Sequence, residues 1–292
     1  MKHAFLVLVH SEPEQLLRLV NALVAENHCI YIHVDKKAKS VLESPELSQL
    51  SNTPNVKAIS LYKVNWGGQN MILATLQLME LALKDSVDWI HIISGQDFPI
   101  RTNGQFDSFF EQTKSKAYFS FDPDFKFAMY EEQRMSCYCL NDIIDARNKN
   151  LLQEIIIKTS NFLQRELRKY GVHLRKPLGV KVYKGARWFS THCDVVAYFI
   201  DYCKEHPEYV RRFRFTSCCD EIFFHTLLMQ SPFCDFLIKD DLRFVKWKDG
   251  ASSPEWLTDA DYEMIVASGD LFCRKVNLQK SSELIEKLSV MQ

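Results

Sequence analysis

In the first 125 residues, short apolar runs alternate with longer segments in which apolar residues recur at helical spacing, and this alternation constrains the fold most strongly. The apolar runs predict five buried strands, over residues 3–10, 29–35, 55–62, 88–94 and 116–122. Helical periodicity fills the segments 12–27 and 71–85. Strands that are apolar along their whole length are typical of a parallel sheet covered by helices on both faces. The sequence therefore predicts an α/β protein.

The residues that follow the predicted strands are unusually polar or small. Four strand exits share this character: Val9-His10, His33–Lys37, Lys63–Gly68 and Ser94–Asp97. In α/β sheets, ligands bind at the carboxyl ends of the strands, beside the point where the strand order reverses. The last exit carries an acid, an aromatic, a proline and a base in quick succession, which is more chemistry than a turn needs. A binding site at this edge of the sheet is predicted.

The remainder of the chain changes character twice. Residues 126–180 are mostly helical and charged, without strand signals, and are predicted to form a helical insertion. Residues 181–292 return to alternating strand and helix patterns. The composition, with 47% hydrophobic and 25% charged residues, is that of an ordinary globular protein. No repeat or low-complexity segment divides the chain, so we expect a single domain over residues 1–292.

Charge and hydropathy exclude several classes of protein. The net charge of −1 gives no overall attraction to nucleic acid. No segment approaches the roughly 20 apolar residues that cross a bilayer, and the apolar run near the start is too short for a secretory signal. The nine cysteines lack zinc-site spacing and are expected to be reduced. A cytoplasmic location is expected, with peripheral association at the inner face of the membrane left open.

Phosphate-binding and metal-binding motifs are weak. The chain contains neither a glycine-rich dinucleotide loop nor a P-loop, which argues against an NAD-type oxidoreductase. Two Asp-x-Asp pairs carry the oxygen ligands that Mg²⁺ or Mn²⁺ prefer, Asp122 with Asp124 and Asp259 with Asp261. A turn and a helix N-terminus explain the same pairs without a metal. A bound diphosphate would need either a metal at the first pair or side-chain cations.

The segment "TSCCDEIFF" supplies a candidate general base. Ser217 is predicted to cap a helix with Asp220 at its third position, which explains Asp220 structurally. This leaves Glu221 unexplained. A carboxylate beside Cys218, Cys219 and the following apolar residues would be partly desolvated, and desolvation raises a carboxyl pKa towards the range of a general base.

Two C-terminal segments supply candidate cations and one upstream segment an aromatic. The cations are Arg243, Lys246, Lys248, Arg274 and Lys275. A solvated basic face would explain them, but Arg243 and Lys275 flank apolar residues and could bind a diphosphate without a metal. Trp188 is either a core residue or a platform for a sugar ring.

Six segments together resemble one family of enzymes. They are "VNWGGQNMILATLQLM", "DWIHIISGQDFPIRTN", "GARWFSTH", "DEIFFHTLLMQSP", "LRFVKWKDGASSPEWL" and "DLFCRKV", in this order. The chain resembles the Core-2/I-branching glycosyltransferases, glycosyltransferase family 14, from about residue 4 to about residue 276. This family includes β-1,6-N-acetylglucosaminyltransferases and peptide xylosyltransferases.

The resemblance implies a GT-A-like (Rossmann-like) mixed sheet flanked by helices and an inverting transfer from a UDP-sugar without a metal or other cofactor. Residues 1–125 would then bind the nucleotide-sugar, and 181–292 would hold the acceptor and catalytic groups. Glu221 matches the family's catalytic base, Lys275 matches a diphosphate-binding Lys, and Arg243 is the best match for a diphosphate-binding Arg. GlcNAc is the family's commonest donor sugar and xylose the second.

The resemblance also places the substrate contacts. Donor-binding residues would be Val9, His10, Asp35, Lys36, Lys37, Lys63 and Trp66. Asp97 and Arg101 would be acceptor-binding or site-shaping residues, and Trp188 would be an acceptor-binding residue. The anchor and stem of the animal members have no counterpart here, so we expect a bacterial-type, cytoplasmic member acting on a surface polysaccharide or lipid-linked oligosaccharide. Two other hypotheses stay open: a metal-dependent transferase using Asp122 and Asp124, and a non-catalytic UDP-sugar-binding protein.

Overall fold

A computed structural model describes residues 1–122, 134–176, 178–251 and 253–290. Asp124 of the first Asp-x-Asp pair lies outside these residues. The described strands are β1 His3–Val9, β2 His28–Val34, β3 Val56–Ile59, β4 Trp89–Ser94, β5 Asp97–Pro99, β6 Ala117–Phe119, β7 Phe189–His192, β8 Leu237–Ile238, β9 Arg243–Val245 and β10 Phe272–Arg274.

The helices of the described residues fall before, between and after these strands. They are α1 Pro13–Leu23, α2 Lys39–Leu42, α3 Pro45–Ser51, α4 Asn70–Lys84, α5 Asn103–Gln112, α6 Leu151–Lys169, α7 Cys193–Glu205, α8 Pro207–Arg212, α9 Phe223–Met229, α10 Tyr262–Ala267 and α11 Leu278–Val290. Short 3-10 turns occupy Leu140–Asp142, Cys219–Glu221, Cys234–Phe236 and Asp259–Asp261.

The central sheet has seven strands in the order β3-β2-β1-β4-β7-β6-β8. Its first four strands are parallel, and β7 runs antiparallel to both β4 and β6. The strand order reverses between β1 and β4, so the predicted binding edge lies there. The predicted α/β fold, a mixed Rossmann-like sheet flanked by helices, is confirmed. A second sheet, β5-β10-β9, lies beside it, and its β5 was not predicted as a strand.

Strand β1 explains why the sequence shows unbroken apolar runs. Phe5 and Val7 pack into one buried cluster, with residues of α1 and α11. Leu6 and Leu8 face the other way, into a cluster with residues of α4 and α7. Successive strand residues point to opposite faces, so a strand covered on both faces must be apolar throughout. Each large apolar side chain fully buried in this way contributes about 1.5–3 kcal/mol.

Between β6 and β7, the described residues form one 3-10 turn and α6, and no strand. Only Gln164 is buried among the residues of α6. The Gln164 amide holds the helix to the chain at Tyr138, accepting from its backbone N–H at 2.7 Å and donating to its carbonyl at 3.0 Å. Arg175 fixes the other end of the segment, because its guanidinium donates to carbonyl groups such as that of Phe215. The predicted helical insertion is thus present in the described residues.

Candidate active site

Two neighbouring recesses open at the carboxyl ends of β1, β2 and β4. The first recess has a volume of about 370 Å³. The second recess has a volume of about 400 Å³ and extends towards the 3-10 turn Cys219–Glu221. Both are lined by Trp66, Arg147, Arg187 and Trp188, so the two recesses meet at these four side chains. The site therefore lies at the edge of the sheet that the sequence predicted.

Close backbone packing forms the floor of the first recess. A Cβ atom at Gly95 would lie 2.8 Å from Val9 Cγ2, so only glycine lets the exit of β4 approach the exit of β1 this closely. The Asp35 amide donates to the Val9 carbonyl at 2.9 Å, which joins β2 to the same point. Of the predicted donor-binding residues, Val9, His10, Asp35, Lys37 and Trp66 line this recess. Lys36 and Lys63 line neither recess, and both are exposed.

Asp35 acts as a brace for the recess wall. Its carboxylate is buried and accepts hydrogen bonds from the backbone amides of Lys37 at 2.9 Å and Val64 at 3.1 Å. The Lys37 ammonium donates to Asn65 Oδ1 at 2.9 Å and to Asp145 Oδ2 at 2.6 Å. These bonds tie the exit of β2 to the loop before α4 and to the insertion. The Lys37 and Asp145 charges therefore neutralise each other within the wall of the first recess, and these bonds hold the wall in shape.

Trp188 lines both recesses, and two cations lie over its ring. The Arg187 guanidinium lies 4.3 Å from the centre of its ring, and the Arg274 guanidinium lies 4.6 Å from it. Cations over an indole face are attracted by its electron density. Arg187 Nη1 is 3.3 Å from Asp220 Oδ2, and Arg274 Nη1 is 2.8 Å from Asp97 Oδ1. Each cation is thus held in place by its own carboxylate.

The structure places Asp97 and Arg101 behind the recesses, since neither residue lines them. Asp97 is 1% exposed, and its carboxylate also accepts from the Ser94 amide. The Arg101 guanidinium donates to the Val266 carbonyl at 3.0 Å. The polar groups of both residues are bonded to protein, and this placement suits the site-shaping role, one of the two expected of them, better than direct contact with an acceptor. Trp188, the third predicted acceptor residue, does line both recesses.

Glu221 lies in the second recess with its side chain 34% exposed. Desolvation raises the pKa of its carboxyl group, and the neighbouring Asp220 carboxylate raises it further. The Lys184 ammonium opposes this shift; it lies 3.7 Å from Glu221 Oε2 and 2.9 Å from Asp122 Oδ2. A carboxylate of raised pKa that faces open space has the properties of a general base.

Two glycines allow the turn that carries Glu221 to be held tightly. The Gly185 amide donates to the Glu221 carbonyl at 3.0 Å, and a Cβ atom at Gly185 would lie 1.9 Å from the Ser120 carbonyl oxygen. On the other side, the Cys218 amide donates to the Gly67 carbonyl at 2.9 Å. Gly67 has φ +69°, in the left-handed region that favours glycine. The turn is therefore fixed between β6 and the loop that carries Trp66.

The helix cap predicted before Glu221 was wrong. Helix α9 begins at Phe223, and Cys218 at the start of the 3-10 turn has φ 50°, so Ser217 does not cap a helix. Its hydroxyl instead accepts a hydrogen bond from Asn141 at 3.3 Å. Asp220 is not a capping residue but the partner of Arg187. Tertiary contacts across the chain outweigh the local capping pattern here.

Arg243 forms part of the second recess, but its guanidinium is bonded to protein. Nη1 donates to Ser190 Oγ at 2.9 Å and to the Asp241 carbonyl, and Nη2 donates to the carbonyls of Ile92 and Phe189. Its side chain is 5% exposed. An arginine whose terminal N–H groups are bonded in this way cannot bind a diphosphate in bidentate geometry without breaking those bonds. The structure thus gives Arg243 a role in joining β9 to β4 and β7.

Lys275 also lines the second recess. Its ammonium lies 5.6 Å from the centre of the Trp256 ring. Desolvation and then the positive charge of Arg274 lower the pKa of its ammonium to about 8. A cation that is partly desolvated and repelled by like charges favours a bound anion.

The described acidic residues give little support for a metal centre. Asp122 is paired with Lys184. Asp259 and Asp261 are paired with Lys287 and Lys246, and neither acid lines either recess. Among the described residues, His192, Cys193 and Asp194 have ligand atoms close enough for one ion, but Lys116 already pairs with Asp194.

Comparison with known proteins identifies the family. Residues 3–267 match the family described as "Core-2/I-Branching enzyme". The chain therefore belongs to the Core-2/I-branching enzyme family, a family of glycosyltransferases. It is 27% identical to xylosyltransferase 1 of Rattus norvegicus over 252 residues, which is 84% of this chain and 28% of that protein. It is 26% identical to xylosyltransferase oxt of Drosophila pseudoobscura pseudoobscura, over 84% of this chain and 26% of that protein.

The chain thus spans about a quarter of the length of these relatives. Among solved structures, S. aureus TarS in complex with UDP-GlcNAc overlaps 48% of this chain and 44% of that chain, with a TM-score of 0.33 and 12% identity. Within the part of the chain that the structure describes, no helix has both the length and the apolar character of a bilayer span.

Sequence reasoning missed three cations of the site. Arg187 lies in a quoted motif beside Trp188, but nothing in the motif shows that its side chain lines both recesses. Arg147 comes from the insertion, and its guanidinium lies 4.9 Å from the Trp66 ring centre. Lys184 reaches Glu221 from 37 positions upstream in the sequence. Only the fold brings these residues together.

Proposed function

We propose that the chain is an inverting, metal-independent glycosyltransferase that moves a sugar from a UDP-sugar to a hydroxyl group of a glycan acceptor. The observation that carries the proposal is the position of Glu221. Its carboxyl group, with a raised pKa, faces a recess that also contains Arg187 and Lys275. A base and cations around one space suit a reaction in which a hydroxyl loses a proton while a diphosphate leaves.

The first recess would hold the nucleoside of the donor. The arrangement of the two recesses supports this assignment, because the first recess joins the cationic second recess at Arg187 and Trp188. The diphosphate would then lie at Lys275 and Arg187, with Arg147 nearby. GlcNAc is the first candidate for the donor sugar. Xylose must be tested beside it, because the relatives described above are named xylosyltransferases.

In the proposed reaction, Glu221 removes the proton from the acceptor hydroxyl as its oxygen bonds to the anomeric carbon. The bond between that carbon and the diphosphate oxygen breaks, and UDP leaves with the electron pair. A single displacement inverts the configuration of the anomeric carbon. The positive charges of Lys275 and Arg187 stabilise the negative charge that develops on the leaving group, which is a role that a metal ion fills in other enzymes.

A metal-dependent reaction is the competing hypothesis. In the described residues, the Asp122 carboxylate has the Lys184 ammonium at 2.9 Å, and this pairing favours a role in setting the pKa of Glu221 over metal binding.

A third hypothesis is a UDP-sugar-binding protein without activity, which would use the same recesses but would need no general base. The acceptor would be a surface polysaccharide or a lipid-linked oligosaccharide.

Release of UDP from a panel of UDP-sugars tests these hypotheses, measured with EDTA and with Mn²⁺. The variant is Glu221→Gln, and the matched control is Glu263→Gln, an exposed residue of α10. The proposal expects turnover that persists in EDTA, falls by about a hundredfold or more in Glu221→Gln, and is unchanged in the control. Turnover that needs Mn²⁺ and survives in Glu221→Gln would support the metal-dependent hypothesis. Tight UDP binding without turnover, even with acceptor glycans added, would support a binding protein.

A further inference from the structure

Helix α6 is the most exposed apolar feature of the described chain. It has 19 residues, of which only Gln164 is buried. Six of its apolar side chains are 44% to 76% exposed: Leu151, Leu152, Ile155, Ile156, Phe162 and Leu163. Apolar side chains gathered on one surface mark an interaction site, whereas single exposed ones do not.

The six exposed apolar residues share one face of the helix. At about 100° per residue, they fall within an arc of about 140°, and the buried Gln164 lies outside it. We call this arc the apolar stripe of α6. Lys158 and Arg165 lie along one border of the stripe, and both are exposed. Lys158 has Glu154 at 2.7 Å, and Glu166, the one acid within the arc, has Lys169 at 2.9 Å and Arg165 at 3.5 Å. Ion pairs this exposed are weak, so the cations can exchange them for lipid phosphates.

The segment around α6 is strongly cationic although the chain as a whole is not. Residues 147–176 contain eight Lys or Arg and two Glu, against a net charge of −1 for the whole chain. Arg147 lines the recesses and Arg175 is buried, so six of these cations, against two Glu, remain for the outer surface. The remainder of the chain is therefore acidic. An acidic body with one basic, apolar segment has a defined orientation in the field of a negatively charged surface.

We propose that α6 docks on the surface of an anionic lipid bilayer, with the apolar stripe in the headgroup region and Lys158, Arg165 and Lys169 on the lipid phosphates. Helices that lie in a membrane interface combine an apolar face with flanking Lys and Arg, as α6 does. Anionic lipids attract such cations within a Debye length of the surface. The bilayer therefore satisfies both the apolar and the cationic parts of this face.

Charge argues against a second copy of the chain as the occupant. A symmetric dimer formed through the apolar stripe would bring together two surfaces on which six Lys or Arg outnumber two Glu. Like charges across an interface oppose association. The proposal concerns where the chain binds and does not depend on the reaction assigned to it, so its failure and that of the proposed function are separate results.

Co-sedimentation with vesicles tests the proposal on the whole chain. Phosphatidylcholine vesicles are compared with vesicles that also contain phosphatidylglycerol, at low and high salt. We expect binding to the anionic vesicles, binding about tenfold weaker to neutral ones, and weakening by salt. A wild-type chain that binds neither kind of vesicle would overturn the proposal.

Two double variants locate the contact. Ile155→Ser with Phe162→Ser removes part of the apolar stripe, and Lys158→Gln with Arg165→Gln removes two cations. Each is expected to weaken binding by about tenfold. Met264→Ser and Lys204→Gln are matched controls on exposed residues of α10 and α7, and are expected to bind as wild type does.

Circular dichroism confirms that the variants are folded, which exposed positions should permit. Equal binding by wild type and both double variants would show that α6 is not the contact and would overturn the proposal. Sedimentation equilibrium adds a last outcome: a dimer that both double variants disrupt, without vesicle binding by wild type, would assign the stripe to self-association instead.

Discussion

Asp97 and Arg274 form a buried ion pair, with Oδ1 and Nη1 2.8 Å apart and side chains 1% and 5% exposed. The pair holds the Arg274 guanidinium against one face of Trp188. Asp97 therefore acts on the recess through Arg274 without lining it. Asp97, the acid that follows β4 in the sequence, thus orients Arg274, a cation of the site.

Replacing Asp97 with Asn should destabilise the protein by about 3 kcal/mol, because the buried Arg274 charge would lose its partner. Urea unfolding followed by circular dichroism measures this change. Asp259→Asn is the control, since it removes a more exposed pair with Lys287 and should change the free energy of unfolding by less than about 1 kcal/mol. Equal losses in the two variants would contradict the assignment of Asp97 as a buried positioning residue.

Replacing Gly185 with Ala should lower both stability and activity. The new Cβ atom would lie 1.9 Å from the Ser120 carbonyl oxygen, so the backbone must move and shift the turn of Glu221. We expect a loss of at least about 1–3 kcal/mol in the free energy of unfolding. Gly104→Ala is the matched control, because no atom lies within 4 Å of its Cβ position in α5. It should be neutral or stabilising by up to about 1 kcal/mol.

Affinity for UDP should fall as the pH rises through 8. The Lys275 ammonium, with its pKa lowered to about 8, loses its charge there. Calorimetric titration of UDP at several pH values measures the effect. Lys275→Arg should still bind UDP but lose this part of the pH dependence, because an arginine stays charged. An identical pH profile in wild type and Lys275→Arg would exclude Lys275 as the titrating group.

The same titration has a consequence for stability, with the opposite direction. The pKa of Lys275 is lower in the folded chain than the usual 10.5, so the unfolded chain binds more protons between pH 8 and 10.5. The contribution of this group to stability therefore rises with pH across that window. Thermal unfolding of wild type and Lys275→Gln over the window checks the sign. A contribution that falls with pH would show that the site does not disfavour the charged lysine.

Removing Lys184 should shift the acid limb of the pH–rate profile to higher pH. Its ammonium, 3.7 Å from Glu221, lowers the pKa of that carboxyl group, so Lys184→Met leaves the carboxyl group protonated over a wider range. UDP release measured against pH tests the shift. Lys181→Gln is the control, because Lys181 is exposed and lines neither recess. An unchanged acid limb in Lys184→Met would show that Glu221 is not the group whose protonation produces that limb.

The central strands were predictable because burial on both faces leaves a signal along each strand. Residues 3–10 and 88–94 read as strands for the same reason that β1 and β4 have no exposed face. The polar strand exits were also readable, and they do form the edge at which the recesses open. In these cases the local sequence and the tertiary environment favour the same structure.

Side-chain partners were harder to predict, because they depend on distances that the sequence does not contain. Arg243 has apolar neighbours like a ligand-binding cation, yet Ser190 and three carbonyls occupy its Nη groups. The capping pattern at Ser217 failed because Cys218 bonds to Gly67 instead. Except for the bond to the Asp241 carbonyl, these contacts link residues more than 50 positions apart, beyond the reach of any local pattern.

The hydrogen bond from Cys218 to Gly67 joins the loop of Trp66 to the turn of Glu221. Any movement of that loop when a nucleotide enters the first recess would pull on the turn that carries the proposed base. Asn141 adds a second link, because its Nδ2 donates to both the Trp66 carbonyl and Ser217 Oγ at 3.3 Å. Such a connection would make the position of the proposed base depend on whether the first recess is occupied.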